Sequence, residues 1–156
     1  MFGKRRYWRS SFGGCCIGSL LCCVSPAIAA PEITAIAATG ATQLPLNDSG
    51  GTPIIQKAAD VQVSTIASSG LTLSVTPESL TKVDGSSIAI QFLIVADGAG
   101  QPSSTAFITD ANSTYSFSTG TAGTDNFDLY IKYTPAQFQD PGNYATTIQL
   151  TVEDNP

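Results

Sequence analysis

The chain has no histidine, and its four cysteines, single methionine and single tryptophan all fall within the first 23 residues. Everything after Cys23 therefore lacks imidazole, thiol, thioether and indole groups. Without His or Cys, the Ser-His-Asp and thiol routes to nucleophilic catalysis are closed. The usual zinc ligands are missing as well. Two carboxylates suffice for a glycosidase pair, but nothing singles out one pair among the twelve acidic residues. Helical periodicity is also absent beyond residue 30. These absences predict no enzyme, no cofactor and no bound metal.

What is present begins with a segment that accounts for the cysteines. "MFGKRRYWR" carries Lys4, Arg5, Arg6 and Arg9 and no acid. An apolar and small-residue run follows from Phe12 to Val24, and then "SPAIAA", with Ala27 and Ala29 in A-x-A spacing. A basic start, a short apolar core and such a site predict a secretory signal peptide, residues 1–29, cleaved after Ala29. The apolar run is shorter than the ~20 residues that span a bilayer. Cys15, Cys16, Cys22 and Cys23 then read as apolar filler, since unused cysteine behaves as a small hydrophobe. Lipidation at "LLCC" is the alternative, but Leu21 or Cys22 stands where a small residue belongs. The Arg5–Arg6 pair lacks the flanking residues of a twin-arginine signal. The predicted localisation is outside the cytoplasm: secreted, periplasmic or on the cell surface.

Removal of residues 1–29 changes the balance of charge. Four of the seven basic residues lie there and none of the twelve acids, which leaves three against twelve, a net charge of −9. That excludes a nucleic-acid partner, which needs clustered Lys and Arg, and argues against anionic lipid surfaces. No membrane span is expected in the mature form. About 127 residues (156 less 29) are the size of one domain.

The mature sequence reads as strands and turns. "EITAIAAT" (32–39) is a short strand signal inside a weakly patterned stretch, 30–59, that is either an N-terminal extension or a first strand. "NDSGGTP" punctuates it. From residue 60 to 156 strand signals recur: "VQVSTIA", "LTLSVT", "IAIQFLIV", "TAFIT", "STYSFST", "FDLYIKY" and "YATTIQLTV". Most alternate with period two, separated by Gly, Pro, Asn, Asp and Ser clusters. "IAIQFLIV", apolar on both faces, reads as a central strand covered twice; "GTAGTDN" reads as a turn. Phe127, Leu129, Ile131 and Tyr133 are placed inward, with Asp128, Tyr130 and Lys132 opposite. The pattern predicts an all-β fold: an antiparallel sandwich of about seven or eight strands, immunoglobulin-like in the broad sense, with a small barrel as the competing arrangement.

Asp and Asn cluster in three loops: Asp110 with Asn112; Asp125, Asn126 and Asp128; Asp140 with Asn143. Such oxygen ligands suit calcium, but none fits the D-x-[DN]-x-[DN]-G spacing. Their plain reading is turn chemistry. Asn47 and Asn112 head N-x-S/T triplets, which matter only in a glycosylating host.

The C-terminal "YTPAQFQDPGNYATTIQLTVED" leads through a Pro-Gly-x-Tyr turn into a Thr-rich apolar strand. It resembles the last strand of several bacterial surface proteins: the spore-coat-U-like secreted pilins, the cysteine-free CS1-type fimbrial subunits and the WxL wall-binding domains. The match covers the last 25 residues or so. Gln149 and Val152 stand where a WxL domain would show its tryptophan pattern. The pilin-like resemblance implies an incomplete sandwich completed by strand addition from a neighbour. It implies a donor strand in "EITAIAAT", with Ile33, Ala35 and Ala37 entering the neighbour's groove. It also implies partners: other copies or related surface subunits, and a periplasmic chaperone. The function expected is an exported structural or adhesive surface subunit. The alternative is a self-contained carbohydrate-binding module, for which Tyr115, Tyr130, Tyr133 and Tyr144 are the only aromatic tyrosine platforms.

Overall fold

A computed structural model describes residues 29–42, 44–46, 50–76, 78–139 and 142–156. Residues 1–28, all but the last residue of the expected signal peptide 1–29 and including Ala27, lie outside the described residues, as do Asn47 and Asp140. Seven strands form two antiparallel sheets. They are β1 (Glu32–Ala37), β2 (Ile54–Thr65), β3 (Leu71–Thr76), β4 (Ile90–Ala96), β5 (Tyr115–Ser118), β6 (Gly123–Tyr133) and β7 (Gln149–Asp154). One sheet has the order β1-β2-β6-β4 and the other β5-β3-β7. The protein is an all-β sandwich.

Alternation builds the core. Leu71, Leu73 and Val75 of β3 are buried, and Thr72 and Ser74 between them are half-buried. They meet Val61 and Val63 of β2, Ile90, Phe92 and Ile94 of β4, and Leu129, Ile131 and Tyr133 of β6. The second sheet adds Tyr115 and Phe117 of β5, half-buried against this cluster. The Phe117 and Phe127 rings pack edge to face, 4.8 Å between centroids, a favoured aromatic geometry. Burial of this apolar area, worth about 25 cal/mol per Å², is what a sandwich with no cysteine after Cys23 relies on.

Several expectations are corrected. β4 is an edge strand of its sheet, and β6 takes the central place between β2 and β4. β4 reads as doubly covered because segment 97–112 folds back over it. Asn112 N–H donates to Ile90 O (2.9 Å) and Asn112 Oδ1 accepts from Ile90 N–H (3.3 Å). Gln91 Nε2 donates to Thr109 O. The same segment buries Phe107 and covers the outer face of β6, so Tyr130 and Asp128 are buried although they point away from the core. "TAFIT" forms no strand; a 3-10 turn, Ser104–Ala106, replaces it. Gly123–Asn126, read as a turn, opens β6.

The boundary drawn at residue 60 falls inside β2, which starts at Ile54. The alternation is hidden there by a bulge: Lys57 faces Tyr130 and Ala59 faces Leu129, so Ala58 is the extra residue. β1 pairs with β2 of the same chain, Glu32 opposite Ser64 and Ala37 opposite Ala59. Residues 32–37 are thus the first strand of a four-stranded sheet. At the other end of the chain, Asp154 lies opposite Leu71, and Thr65 Oγ1 donates to Asp154 Oδ1. The start of β1 and the end of β7 share one pole of the sandwich. The strand ends Ala37, Ile54, Thr76, Ile90, Tyr133 and Gln149 lie toward the other pole.

Candidate functional site: an open side between two edge strands

The two sides of the sandwich differ. On the β4 side, segment 109–112 occupies the strand edge. On the opposite side, β1 borders one sheet and β7 the other, and among the described residues neither outer edge has a strand partner. Three strands lie over four, so the sheets do not close there. The result is a groove of about 570 Å³. Its floor is laid by small residues, Ala35, Ala37, Ala58 and Ala59, over Leu129 and Ile131. Its opposite wall is the run into β7, where Tyr144, Ile148 and Leu150 are half-buried. Among the described residues, no acidic or basic one lines it.

Local sequence explains this shape. The bulge at Ala58 turns both Ala58 and Ala59 inward, and alanine side chains leave depth where Leu or Ile would fill it. β7 is regular only from Gln149. Before it, residues 144–148 keep the inward phase of a strand but hold only the bridge between Thr81 and Ala145. Tyr144 is fixed by Gln139 Nε2, which donates to its hydroxyl at 2.7 Å. Lys82 Nζ stands 6.0 Å from its ring centroid, at the outer limit of a cation–π contact.

The sequence-predicted donor residues divide here. Ile33 is half-buried and packs against the core of its own chain. Ala35 and Ala37 are exposed and line the groove. Ile36, between them, is 66% exposed on the outer face. Ala29 is exposed, beside Glu32 and Thr65 in a shallow cleft. None of the four tyrosines offers an open ring: Tyr130 and Tyr133 are buried, and Tyr115 and Tyr144 half-buried.

A second constellation sits on the outer face of the larger sheet. Asp60 and Asp128 are directly opposite on β2 and β6, and like charges so placed repel. Carboxylate oxygens of Asp60, Asp97 and Asp128 lie within 4.8 Å of one another. Lys57 relieves the repulsion: its Nζ is 2.6 Å from Asp60 Oδ1 and 2.6 Å from Asp128 Oδ1. Residues three apart on a regular strand face opposite ways, and the bulge at Ala58 puts Lys57 and Asp60 on one face. Asp128 Oδ2 accepts from Gly98 N–H at 3.3 Å. Asp128 Oδ1 makes no well-aligned hydrogen bond, so the close ammonium is its compensation. The close contacts with Asp128 first and Asp60 second hold the Lys57 pKa above its usual range. The arrangement is an ion network in which one ammonium bridges two of three carboxylates, and Asp97 has no cation of its own among the described residues.

Sequence proximity had grouped Asp125, Asn126 and Asp128; strand register instead unites Asp128 with Asp60 and Asp97. Asn126 Oδ1 accepts from Gln62 Nε2 at 3.0 Å. Asn112 adopts a left-handed conformation, φ 60°, and its amide oxygen serves β4 as described. The first is a cross-strand pair between β2 and β6, and the second is turn and strand-edge chemistry. No family model, no curated protein and no solved structure matches this chain.

Proposed function

We propose that the protein is an exported structural or adhesive subunit of the cell surface that associates with neighbouring chains by strand pairing at its open side. The observation that supports this reading is the uncharged apolar groove bordered by two unpaired strand edges, β1 and β7. An unpaired edge is a template for another chain, and strand addition supplies backbone hydrogen bonds together with side-chain pockets. β1 suits a strand that changes hands. Five of its six residues are exposed, and the 38–53 connection is far longer than a hairpin needs. Donated to a neighbour, Ile33, Ala35 and Ala37 would keep the phase they have within their own chain.

The test compares the exported full chain with a variant lacking residues 30–39, using size-exclusion chromatography with light scattering. Multimers are expected from the full chain and none from the deletion variant. A peptide of the 31–39 sequence should raise the melting temperature of the variant. Monomers from both forms, with equal melting temperatures, overturn the reading. Export itself is read by N-terminal sequencing: the product should begin at Ala30. A product beginning at Cys22 or Cys23 with added acyl mass would replace the secreted subunit by a lipid-anchored one.

A further inference from the structure

Phe138 is the most exposed large apolar side chain among the described residues, at 93%. Its backbone is also unusual: φ is 61°, the left-handed region that bulky residues avoid. The turn that imposes this is well fastened. Gln139 N–H donates to Ala136 O and Ala136 N–H to Gln139 Oε1, both at 3.1 Å. Gln139 Nε2 reaches Ser86 O (3.3 Å) and the Tyr144 hydroxyl (2.7 Å). The surrounding bonds thus hold an aromatic ring in solvent in a conformation it would not choose. Among the described residues, neither core packing nor a backbone hydrogen bond of its own accounts for that, and strain of this kind points to use.

We infer that Phe138 is a docking knob and that its socket is the alanine-floored groove of a second copy of this chain. The inference rests on the reading of the open side as a protein-binding site and names what binds there. Charge narrows the choice of occupant. Among the described residues the groove carries no ionisable side chain except the Tyr144 phenol, and residues 134–139, "TPAQFQ", carry none. A basic partner finds no counter-charge at this site. A second copy offers an uncharged aromatic turn to an uncharged groove. Shape agrees: a floor of Ala35, Ala37, Ala58 and Ala59 receives a large flat ring, the kind of anchor that dominates interfaces. Knob and socket adjoin, because Gln139 is bonded to Tyr144 and Tyr144 lines the groove. A twofold arrangement therefore seats each Phe138 in the other copy's groove and closes as a dimer.

Sedimentation of the exported full chain over a wide concentration range tests this. A monomer–dimer equilibrium is expected. Phe138→Ser removes both knobs of the dimer and should weaken it about 1,000-fold, at roughly 30-fold for each hot-spot anchor. Ala145→Glu, an exposed position on the groove wall, should do the same from the socket side. Melting temperatures check that both variants fold. In a mixture, the first variant keeps an intact socket and the second an intact knob, so heterodimers should form where neither variant alone dimerises; a general loss of stability would not give that result. A dimer that survives Phe138→Ser overturns the inference and leaves strand pairing standing. A chain that is monomeric in every form overturns both.

Discussion

Lys57 Nζ lies 2.6 Å from Asp128 Oδ1, reaching from β2 to the central strand β6, and the Asp128 side chain is only 3% exposed. A buried carboxylate without a compensating charge is costly. The pair therefore matters less for what it adds than for what its loss would leave behind.

Lys57→Met should destabilise the domain by about 1–3 kcal/mol, the desolvation cost of a buried acceptor that has lost its partner. Adding Asp128→Asn to that variant should recover part of the loss, because the uncompensated charge is gone. Urea denaturation of the wild type, both single variants and the double variant closes the cycle. Additive losses would show that the two side chains are not coupled.

Alkaline pH should reveal the same group. Lys57 is raised above its ordinary 10.5. Burial pushes the Tyr133 phenol from 10.0 up to about 12. In both, the folded state holds its proton more tightly than the unfolded state. Their contribution is thus fully present below about pH 10 and lost as pH climbs through the folded values. The melting temperature should hold level from neutral pH to about 9 and fall above 10. Tyr133→Phe should shallow that fall, while losing the 3.0 Å hydrogen bond to Pro45 O. A fall of the same steepness in that variant would rule out the phenol as a cause.

Ile131 and Leu150 are in phase with the core on their strands but differ in burial. Ile131 is 3% exposed on central β6, whereas Leu150 is half-buried beside the groove. Ile131→Ala should cost about 2–5 kcal/mol. Leu150→Ala should cost about 1 kcal/mol, since only part of its surface leaves water. Equal losses would mean that the β7 side is closed in solution.

Gly70 ends the turn between β2 and β3 with φ +78°, and a Cβ there would sit 2.4 Å from Thr119 O. Gly98 has a similar φ, +70°, with nothing within 4 Å. Gly98→Ala should cost about 1–2 kcal/mol for the backbone alone. Gly70→Ala should cost clearly more, because the Thr119 backbone must also move. Thermal unfolding of the two variants side by side separates conformation from collision.

How much of this was legible in the sequence follows from what each feature depends on. Leu71–Thr76 and the inward phase of Phe127, Leu129, Ile131 and Tyr133 depend on alternation alone, and alternation is a local property. The start of β2 was not legible, because the bulge at Ala58 breaks the period where the strand begins. Nor was the edge position of β4: its cover comes from a later connection whose strand signal, TAFIT, is not used as a strand. Burial of Asp128 and Tyr130 has the same cause. The groove depends on sheet order, three strands over four, which no local pattern encodes. The strand signal of β1 was visible, but not that Ala35 and Ala37 would form a wall of the groove within their own chain. Phe138 stood in a turn-rich stretch, where exposure and a positive φ leave no periodic trace.

Glu32 and Asp154 enter and leave the sandwich at one pole, one at the tip of each edge strand bordering the groove. A load applied between those points acts across the strands rather than along them. Backbone hydrogen bonds of β1 and β7 would then break one after another, as in a zipper, instead of sharing the force. Forced unfolding is governed by the rate of the weakest step, and here that step is the peeling of an edge. Pulled from these ends, the domain should open at low force and open first at the groove. As a load-bearing link it would behave as a soft element unless a neighbouring strand braced the edges.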